Sequence, residues 1–591
     1  MANIPSSFLN SVHITGRDAD TLSKNIKNIN SEDYSARSVV KEVVTYNGGS
    51  FVRDKREMRK FDEKMLMQFL SSTSIFEEMN TINKFLKHSE STIIGFDKST
   101  DGIINLFTQL QKSVMEFSKD PFDDNLRIIF WNNLDDFVMK LNNIDNFIEN
   151  TIFDIDDVIA NTVSEFNTEV ESVFVNNKSY TKEYFLRNSS SNDYADKIDT
   201  SLAVLQGITN LEIKPIRENE GVKLSLDGTT ILEYQNLATL KYEEGKFYLS
   251  NNPDNELTDV LMQNKGQLAG YLKLKNRIFP AFKEHFSMIK ETLVSNLNTF
   301  ANNAYYKKNE ITYDNYFEDT TESFGIENFD GTTLRISLVN PLTNEIISDV
   351  DVDFSDLLLN AKGDPLPQKD LSKISVNDVI LKINESANNQ QITNIADFAK
   401  HKFQLKAQTG VNIFLSGDLK INGKGINEFL HVNDIVFFSS DENGYKIDNK
   451  IKSSFTFQSV EEFQKDKKMD FTKKNTKILD ALNNILTSDK IQWGEVKTEV
   501  SGLSVKSRKA TFSEFINEVV LTDTEIISTY KNKLKPYADK FDISKASYLS
   551  SKQVDITTQQ NKFDEIITLK EMLNKIYKMS NEVMKSLLEV I

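Results

Sequence analysis

Towards the C-terminus an apolar side chain returns at alternating intervals of three and four: Ile566, Leu569, Leu573, Ile576, Val583, Leu587 and Val590, with Ser580 in the remaining place. That is a heptad stripe, and it is satisfied only by a helix whose apolar face meets another surface. Met572, Met579, Met584, Leu588 and Ile591 widen the face beyond the narrow seam of two helices. Near the other end Phe8, Val12, Thr15, Ala19, Leu22, Ile26 and Ile29 repeat the pattern, weakened at Thr15 and Ala19 and interrupted by Gly16. Two such helices either dock on one globular core or pair with each other and with neighbouring copies. The spacing alone leaves both readings open.

With only 9 Pro and 21 Gly in 591 residues, long uninterrupted elements are expected between these ends. Leu106, Leu110, Val114 and Phe117 form one stripe, closed by Asp120-Pro121. Phe137, Leu141, Ile144, Ile148, Ile155, Ile159, Val163, Phe166, Val170 and Val173 form a far longer one that reads as a rod-like coiled coil. The alternation Val222–Leu226, the pair Asp227-Gly228 and Ile231–Tyr234 predict a β-hairpin. Helix returns from Gly266 to about Phe300, kinked or interrupted at Pro280. From about Gly331 to Trp493 short strand-like runs alternate with Asp, Asn and Gly turns, and helix resumes near Phe512. The expected fold is mainly α with an inserted, mostly-β outer domain. The segments are 1–48 (N-terminal helix), 49–330 (helical rod with a β region near 210–250), 331–500 (insert), 501–548 (return of the rod) and 549–591 (C-terminal helix).

Composition removes several functions. Lys and Arg number 70 against 87 Asp and Glu, a net charge of −17, so no domain-wide basic surface remains to meet nucleic acid. There is no Cys, hence no disulfide, thiol nucleophile or thiolate metal site. No run approaches the length of a membrane span, and the first residues lack the basic and apolar regions of a cleavable signal.

Nothing in the sequence assembles a catalytic set. His13, His88, His285, His401 and His431 form no His-x-x-x-His or His-Glu-x-x-His pair, and each reads as an ordinary surface or interface residue. Asp349, Asp351 and Asp353 suggest a calcium loop until Phe354 and Asn360 occupy the places that need Gly and Glu. They read instead as the acidic outer face of a strand, and Asn422-Gly-Lys-Gly425 reads as a plain turn. No catalytic, cofactor-binding or metal residue is assigned, and no cofactor is expected.

The N-terminal residues Asn25, Ile26, Asn28, Asn30, Tyr34 and Ser35 form an Asn-Ile-x-Asn-x-Asn…Tyr-Ser pattern. It resembles the signature of bacterial flagellar rod, hook and junction axial proteins. Tyr-Ser with Arg37 close behind points, within that family, to hook-associated protein 1, the first hook–filament junction protein. Asp33 stands where the family has Gly, Ser11 where it has its small Gly, and the Arg falls one residue late. Ile103–Val114 followed by Asp120-Pro121 and Arg127, the run Gly266-Gln-Leu-Ala-Gly-Tyr-Leu272, and Val554-Asp-Ile556 before the last helix resemble further family motifs.

The resemblance implies an extracellular structural protein of the flagellum, exported unprocessed through the type III apparatus. It would self-assemble into a ring through its terminal helices: Phe8, Val12, Ala19, Leu22, Ile26 and Ile29 on one, and Ile566, Leu569, Leu573, Ile576, Val583, Leu587 and Val590 on the other. Implied partners are further copies of itself, the hook protein, the second junction protein (hook-associated protein 3) and a small cytoplasmic export chaperone on the C-terminal helix. Neither nucleic-acid binding nor membrane insertion is expected. The rival readings are a secreted coiled-coil adhesin or type III translocator-like binding protein, and an enzyme with its site in the insert.

Overall fold

The computed structural model describes residues 6–46, 49–93, 95, 102–121, 123–215, 221–301, 304–306, 308–342, 345–432, 437–441, 444–447, 449–459, 477–498, 503–553 and 555–590. It opens with α1 (Ser6–Lys27), then β1 (Arg37–Tyr46) and β2 (Gly49–Arg59), paired antiparallel. The hairpin occupies ground expected to be a helix end and a rod beginning. Its sequence signal is Asn47-Gly48, the commonest two-residue hairpin turn, between runs rich in Val and charged residues.

The rod follows: α2 (Glu63–Ile93), α3 (Ile103–Lys119), α4 (Asp124–Phe185) and α5 (Ser191–Ile208). At 62 residues α4 spans about 93 Å at 1.5 Å per residue. Asp123 starts it, the carboxylate accepting from the amides of Asn125 (2.7 Å) and Leu126 (3.3 Å). Phe130, Leu134, Phe137, Leu141, Ile144, Ile148, Ile155, Ile159, Phe166, Val170 and Val173 are buried along one face. Each such side chain contributes roughly 1.5–3 kcal/mol, so the 3.6-residue period is enforced along the whole length.

A four-stranded antiparallel sheet, β3 (Glu212–Pro215), β4 (Val222–Leu226), β5 (Thr229–Glu233) and β6 (Asn236–Leu237), lies with the hairpin β7 (Leu240–Glu243) and β8 (Lys246–Leu249) along α4, tied to it by Asn177 and Asn167. Asp227 and Gly228 join β4 to β5 with φ of 46° and 75°, the left-handed pair that a two-residue turn requires. Next come α6 (Gln267–Lys273) and α7 (Phe279–Ala301), linked by one π turn, Leu274–Ile278. Pro280 lies just past the π turn in a helical run unbroken from Gln267 to Ala301, so the hydrogen bond its missing N–H would make is lost where the ladder has already changed register. The motif glycines have steric reasons. A Cβ on Gly266, whose φ is +100°, would lie 2.6 Å from the Ile208 carbonyl oxygen, and one on Gly270 would lie 3.0 Å from that of Glu78 in α2.

The insert has its own core. Buried residues from Ile311 to Val432 pack together, apart from the rod core. Many of them lie on two of its three-stranded sheets: β9 (Glu310–Thr312), β13 (Lys402–Lys406) and β12 (Ala396–Ala399) in one, and β11 (Ile346–Asp353), β10 (Thr333–Val339) and β14 (Asn412–Gly417) in the other. A helix the strand pattern had not suggested, α8 (Val376–Asn389), packs on them behind a Ser375–Asp378 capping box. Expected limits of 331 and 500 are therefore displaced. Phe437, Phe438 and Phe455 are buried in the rod core, with the Phe437 ring 5.3 Å from that of Trp131. Arg127 secures this return by donating to the carbonyls of Lys452 (2.8 Å) and Phe455 (2.7 Å).

The chain closes with α9 (Lys477–Thr487), α10 (Phe512–Lys552) and α11 (Ile556–Val590). α10 lies along α2, and α11 lies against α1, which brings the two terminal helices together. The fold is mainly α with a β-rich inserted region.

Candidate functional site

The two terminal stripes meet, but not as one symmetric seam. On α1 the buried positions are Ile14, Thr15, Ala19, Thr21, Leu22 and Asn25, a face that also covers the β1–β2 hairpin. Val12, Ile26 and Ile29 are half-buried. On α11 Ile566 and Leu573 are half-buried, whereas Leu569, Ile576 and Val583 are 49%, 53% and 57% exposed. Met572 and Met579 are likewise open, at 56% and 64%. One helix can cover only part of so wide an apolar face, and the remainder is left to solvent. Phe8, Leu587 and Val590 lie on these helices, with side chains outside the described residues, and Val554 is outside them altogether.

The signature residues build the joint between this pair and the rod. Asn25, fully buried, uses its whole amide. Its Nδ2 donates to the Arg37 carbonyl (2.9 Å) and to Gln559 Oε1 of α11 (3.1 Å). Its Oδ1 accepts from the Arg37 amide (2.9 Å) and the Tyr34 hydroxyl (2.8 Å). One side chain thus ties α1, the entry to β1 and the last helix. Asn28 caps locally, donating to the Lys24 carbonyl (2.9 Å) at the surface. Ser35 is buried, and its amide donates to Asp196 Oδ2 of α5 (3.3 Å). Asn30 is exposed and Ile26 half-buried. The Ala36 amide donates to the Lys552 carbonyl at the end of α10 (2.8 Å).

Behind these residues lies a buried ionic cluster. Arg37 pairs with Asp193 (2.6 Å), Asp196 (3.2 Å) and Glu57 (3.7 Å), and its guanidinium stacks 4.7 Å from the Tyr34 ring centre. Arg59 pairs with Asp199 (2.6 Å) and Asp196 (3.3 Å). Tyr548 of α10 donates to Asp199 at 3.3 Å. Burial opposes the charge on several of these groups. It lifts Asp199 above the usual carboxylate value against the pull of Arg59. It pushes the Tyr34 phenol up to about 12, although Arg37 works the other way. Burial also disfavours the charge on Arg37 and Arg59, yet their carboxylate partners hold both above the ordinary guanidinium value. Removing one partner from such a cluster strands a buried charge, so the joint is stiff as a unit.

Sequence reasoning reached Asn25, Tyr34 and Ser35 through their pattern and noted Arg37 only as a neighbour. Glu57, Arg59, Asp196 and Asp199 carried no local signal, because their pairing exists only once β2, α5 and α10 converge.

The remaining candidates resolve separately. His285, expected as an ordinary surface or interface residue, is fully buried in α7 with Nδ1 2.8 Å from Asp523 Oδ1 of α10, also fully buried. Burial raises the Asp523 carboxyl, and His285 opposes that rise. His401 stacks on Tyr316, and His431 on Tyr313. Asp351 pairs with Arg335 (2.6 Å), and Asp349 accepts from Ser337, each directly across the strand pair β10–β11. Asn422 and Gly423 form the turn between two short strands, with φ of 55° and 79°. Among the described residues no three His, Asp or Glu side chains come together as a metal-holding group, and no helix is long and apolar enough to cross a membrane.

Comparison with known proteins bears on the rod. Residues 94–315 match the family model described as the flagellar hook-associated protein FlgK helical domain. The fold can be superposed on the flagellar hook junction protein FlgK from Burkholderia pseudomallei with a TM-score of 0.44 and 10% identity, covering 83% of this chain and 100% of that one. No curated protein matches the chain. The family match falls on α3 to α7, the segment holding the Asp120-Pro121 turn and the Gly266–Leu272 motif, and over that segment it supports a FlgK-type flagellar hook-associated protein.

Proposed function

We propose that the chain is an axial structural subunit of the hook–filament junction and that it self-assembles into a ring through α1 and α11. The observation that carries this reading is the unfilled half of the α11 stripe: Leu569, Met572, Ile576, Met579 and Val583 lie open on a helix whose other side already covers α1. An apolar face of that width suits a helix with more than one neighbour, as in a tube wall. The ionic joint supports it, since a stiff connection transmits the rod's orientation to the terminal pair. On this reading the hook protein and the second junction protein flank the ring. Export proceeds unprocessed through the type III apparatus to the extracellular flagellum, and a small chaperone covers α11 beforehand by helix-in-groove packing. The role needs no catalysis and no cofactor. Domain roles follow: terminal pair inside, rod around it, acidic insert outermost.

The test is Ile576→Asp, with Lys575→Asp as a control on the same turn. Ile576 is half-exposed in the monomer, so its melting temperature should hold. In a ring each copy loses roughly 1.5–3 kcal/mol of side-chain burial and gains a desolvated carboxylate. Complementation of a strain lacking the protein should give secretion without attached filaments. Normal filaments with Ile576→Asp would end the proposal.

A further inference from the structure

Four helices share one level of the rod. There Asp145 of α4 pairs with Lys290 of α7, and His285 of α7 meets Asp523 of α10. Asn83 of α2 donates to the Tyr530 carbonyl of α10 (3.0 Å), and the His88 ring of α2 lies 5.8 Å from that of Phe147 in α4. These links close a circuit α4–α7–α10–α2, so α4 and α10 occupy opposite corners and their outer faces point apart. The two corners carry opposite charge. On α4, Asp136, Asp154, Asp157, Glu165 and Glu171 are exposed, and none has an ion-pair partner among the described residues. Lys140, the single basic residue between Asp136 and Glu171, turns aside to the Thr92 carbonyl of α2 (2.8 Å). Asp136 to Asp157 runs about 32 Å along the helix, and Met139 and Phe153, the latter 68% exposed, stand among these acids. At the far corner Lys531, Lys533 and Lys535 of α10 and Lys84 and Lys87 of α2 are exposed, again without an ion-pair partner among the described residues. α10 has no acid between Glu525 and Asp539, and α2 has none between Glu78 and Glu90. Leu521, 69% exposed, lies on the same stretch of α10. Both patches straddle the level at which Phe147, His88, Asn83 and Tyr530 meet, so they sit at one height on the rod.

We infer that the acidic α4 face of one copy packs against the basic α10–α2 face of the next when subunits assemble. The inference rests on the ring reading above and adds a lateral contact between rods to it. A second copy is the occupant because the chain itself supplies both halves: local charges of opposite sign, exposed apolar side chains in each, and equal height on opposite corners. A face and its complement on opposite sides of one subunit make a heterologous contact, which repeats head-to-tail and closes into a ring where the rotation permits. Two α4 faces would instead set like charges together, so the same side chains oppose back-to-back pairing and fix the direction of assembly.

Charge exchange in the full-length protein tests it, with Ile576→Asp as reference. Lys531→Glu with Lys535→Glu, and separately Asp154→Lys with Asp157→Lys, should each raise the concentration needed for assembly by about tenfold or more, because attraction becomes repulsion. The four changes together restore the complement and should assemble within about threefold of wild type. All four side chains are exposed, so the melting temperature should hold in every variant. Zero-length amine–carboxylate cross-linking of assembled wild type should join Lys531 or Lys535 to Asp154 or Asp157, a link that opposite corners forbid within one copy. Reversals that assemble normally while Ile576→Asp does not would refute the rod contact and leave the stripe standing. Impairment that the fourfold exchange fails to rescue equally refutes it. If Ile576→Asp also assembles normally, the ring reading fails and takes this contact with it.

Discussion

Replacing Asn25 by Leu removes a polar clamp while keeping the volume of the side chain. Four hydrogen bonds disappear. Gln559 is partly exposed and finds water, but the Arg37 N–H and C=O sit in a residue only 5% exposed, and the Tyr34 hydroxyl is half-buried. A buried polar group left without a partner costs about 1–3 kcal/mol. Two such groups, with the phenol partly relieved by solvent, give roughly 3–6 kcal/mol against closure of the joint, and Leu, unlike Ala, leaves no space for a bridging water. The rod core shares none of these contacts, so a global melt would hide the effect. Amide hydrogen exchange reads it locally. Amides of β1 and β2 should exchange about 10²–10⁴-fold faster, from 1.4 kcal/mol per tenfold, while those of α4 serve as the internal reference. Asn28→Leu, which removes one surface bond, should change exchange by less than about threefold. Hairpin amides in Asn25→Leu that stay within threefold of wild type would refute the clamp.

Three further outcomes follow from the same geometry. Gly266→Ala places a Cβ 2.6 Å from the Ile208 carbonyl at φ +100° and should destabilise the rod by roughly 3 kcal/mol or more, whereas Gly16→Ala, with nothing within 4 Å, should stabilise α1 by about 0.5–1 kcal/mol; thermal melts compare them. His285→Leu should cost about 3–5 kcal/mol by stranding the Asp523 carboxylate, and adding Asp523→Leu should restore most of the loss in a double-mutant cycle. The Tyr34 phenol, raised by burial to about 12, gives stability that is complete below the ordinary tyrosine value of 10.0 and is lost as pH rises through about 12. Denaturant titrations across that window should flatten in Tyr34→Phe; an unchanged slope would contradict the shift.

Much of the architecture is written in local pattern. The stripe from Phe137 to Val173 needs nothing but the helical period, because one face of α4 is buried along its whole length. Asp227-Gly228 specifies its turn through φ alone, and the apolar excess on the last helix announces a surface wider than one partner covers. Only the tertiary structure decided the rest. Arg37 is a surface-like residue in sequence and becomes the hub of the joint when β2 and α5 bring four carboxylates to it and its neighbour Arg59. Phe437 and Phe455 read equally well as insert or rod, since an apolar side chain gains the same burial in either core, and contact with Trp131 and Phe300 settles which. His285 looks like an ordinary polar residue until distant segments close over it. Short-range geometry repeats with the chain's own period and is legible there; long-range charge pairing and burial depend on residues up to several hundred positions apart, and no local spacing encodes which of them will meet.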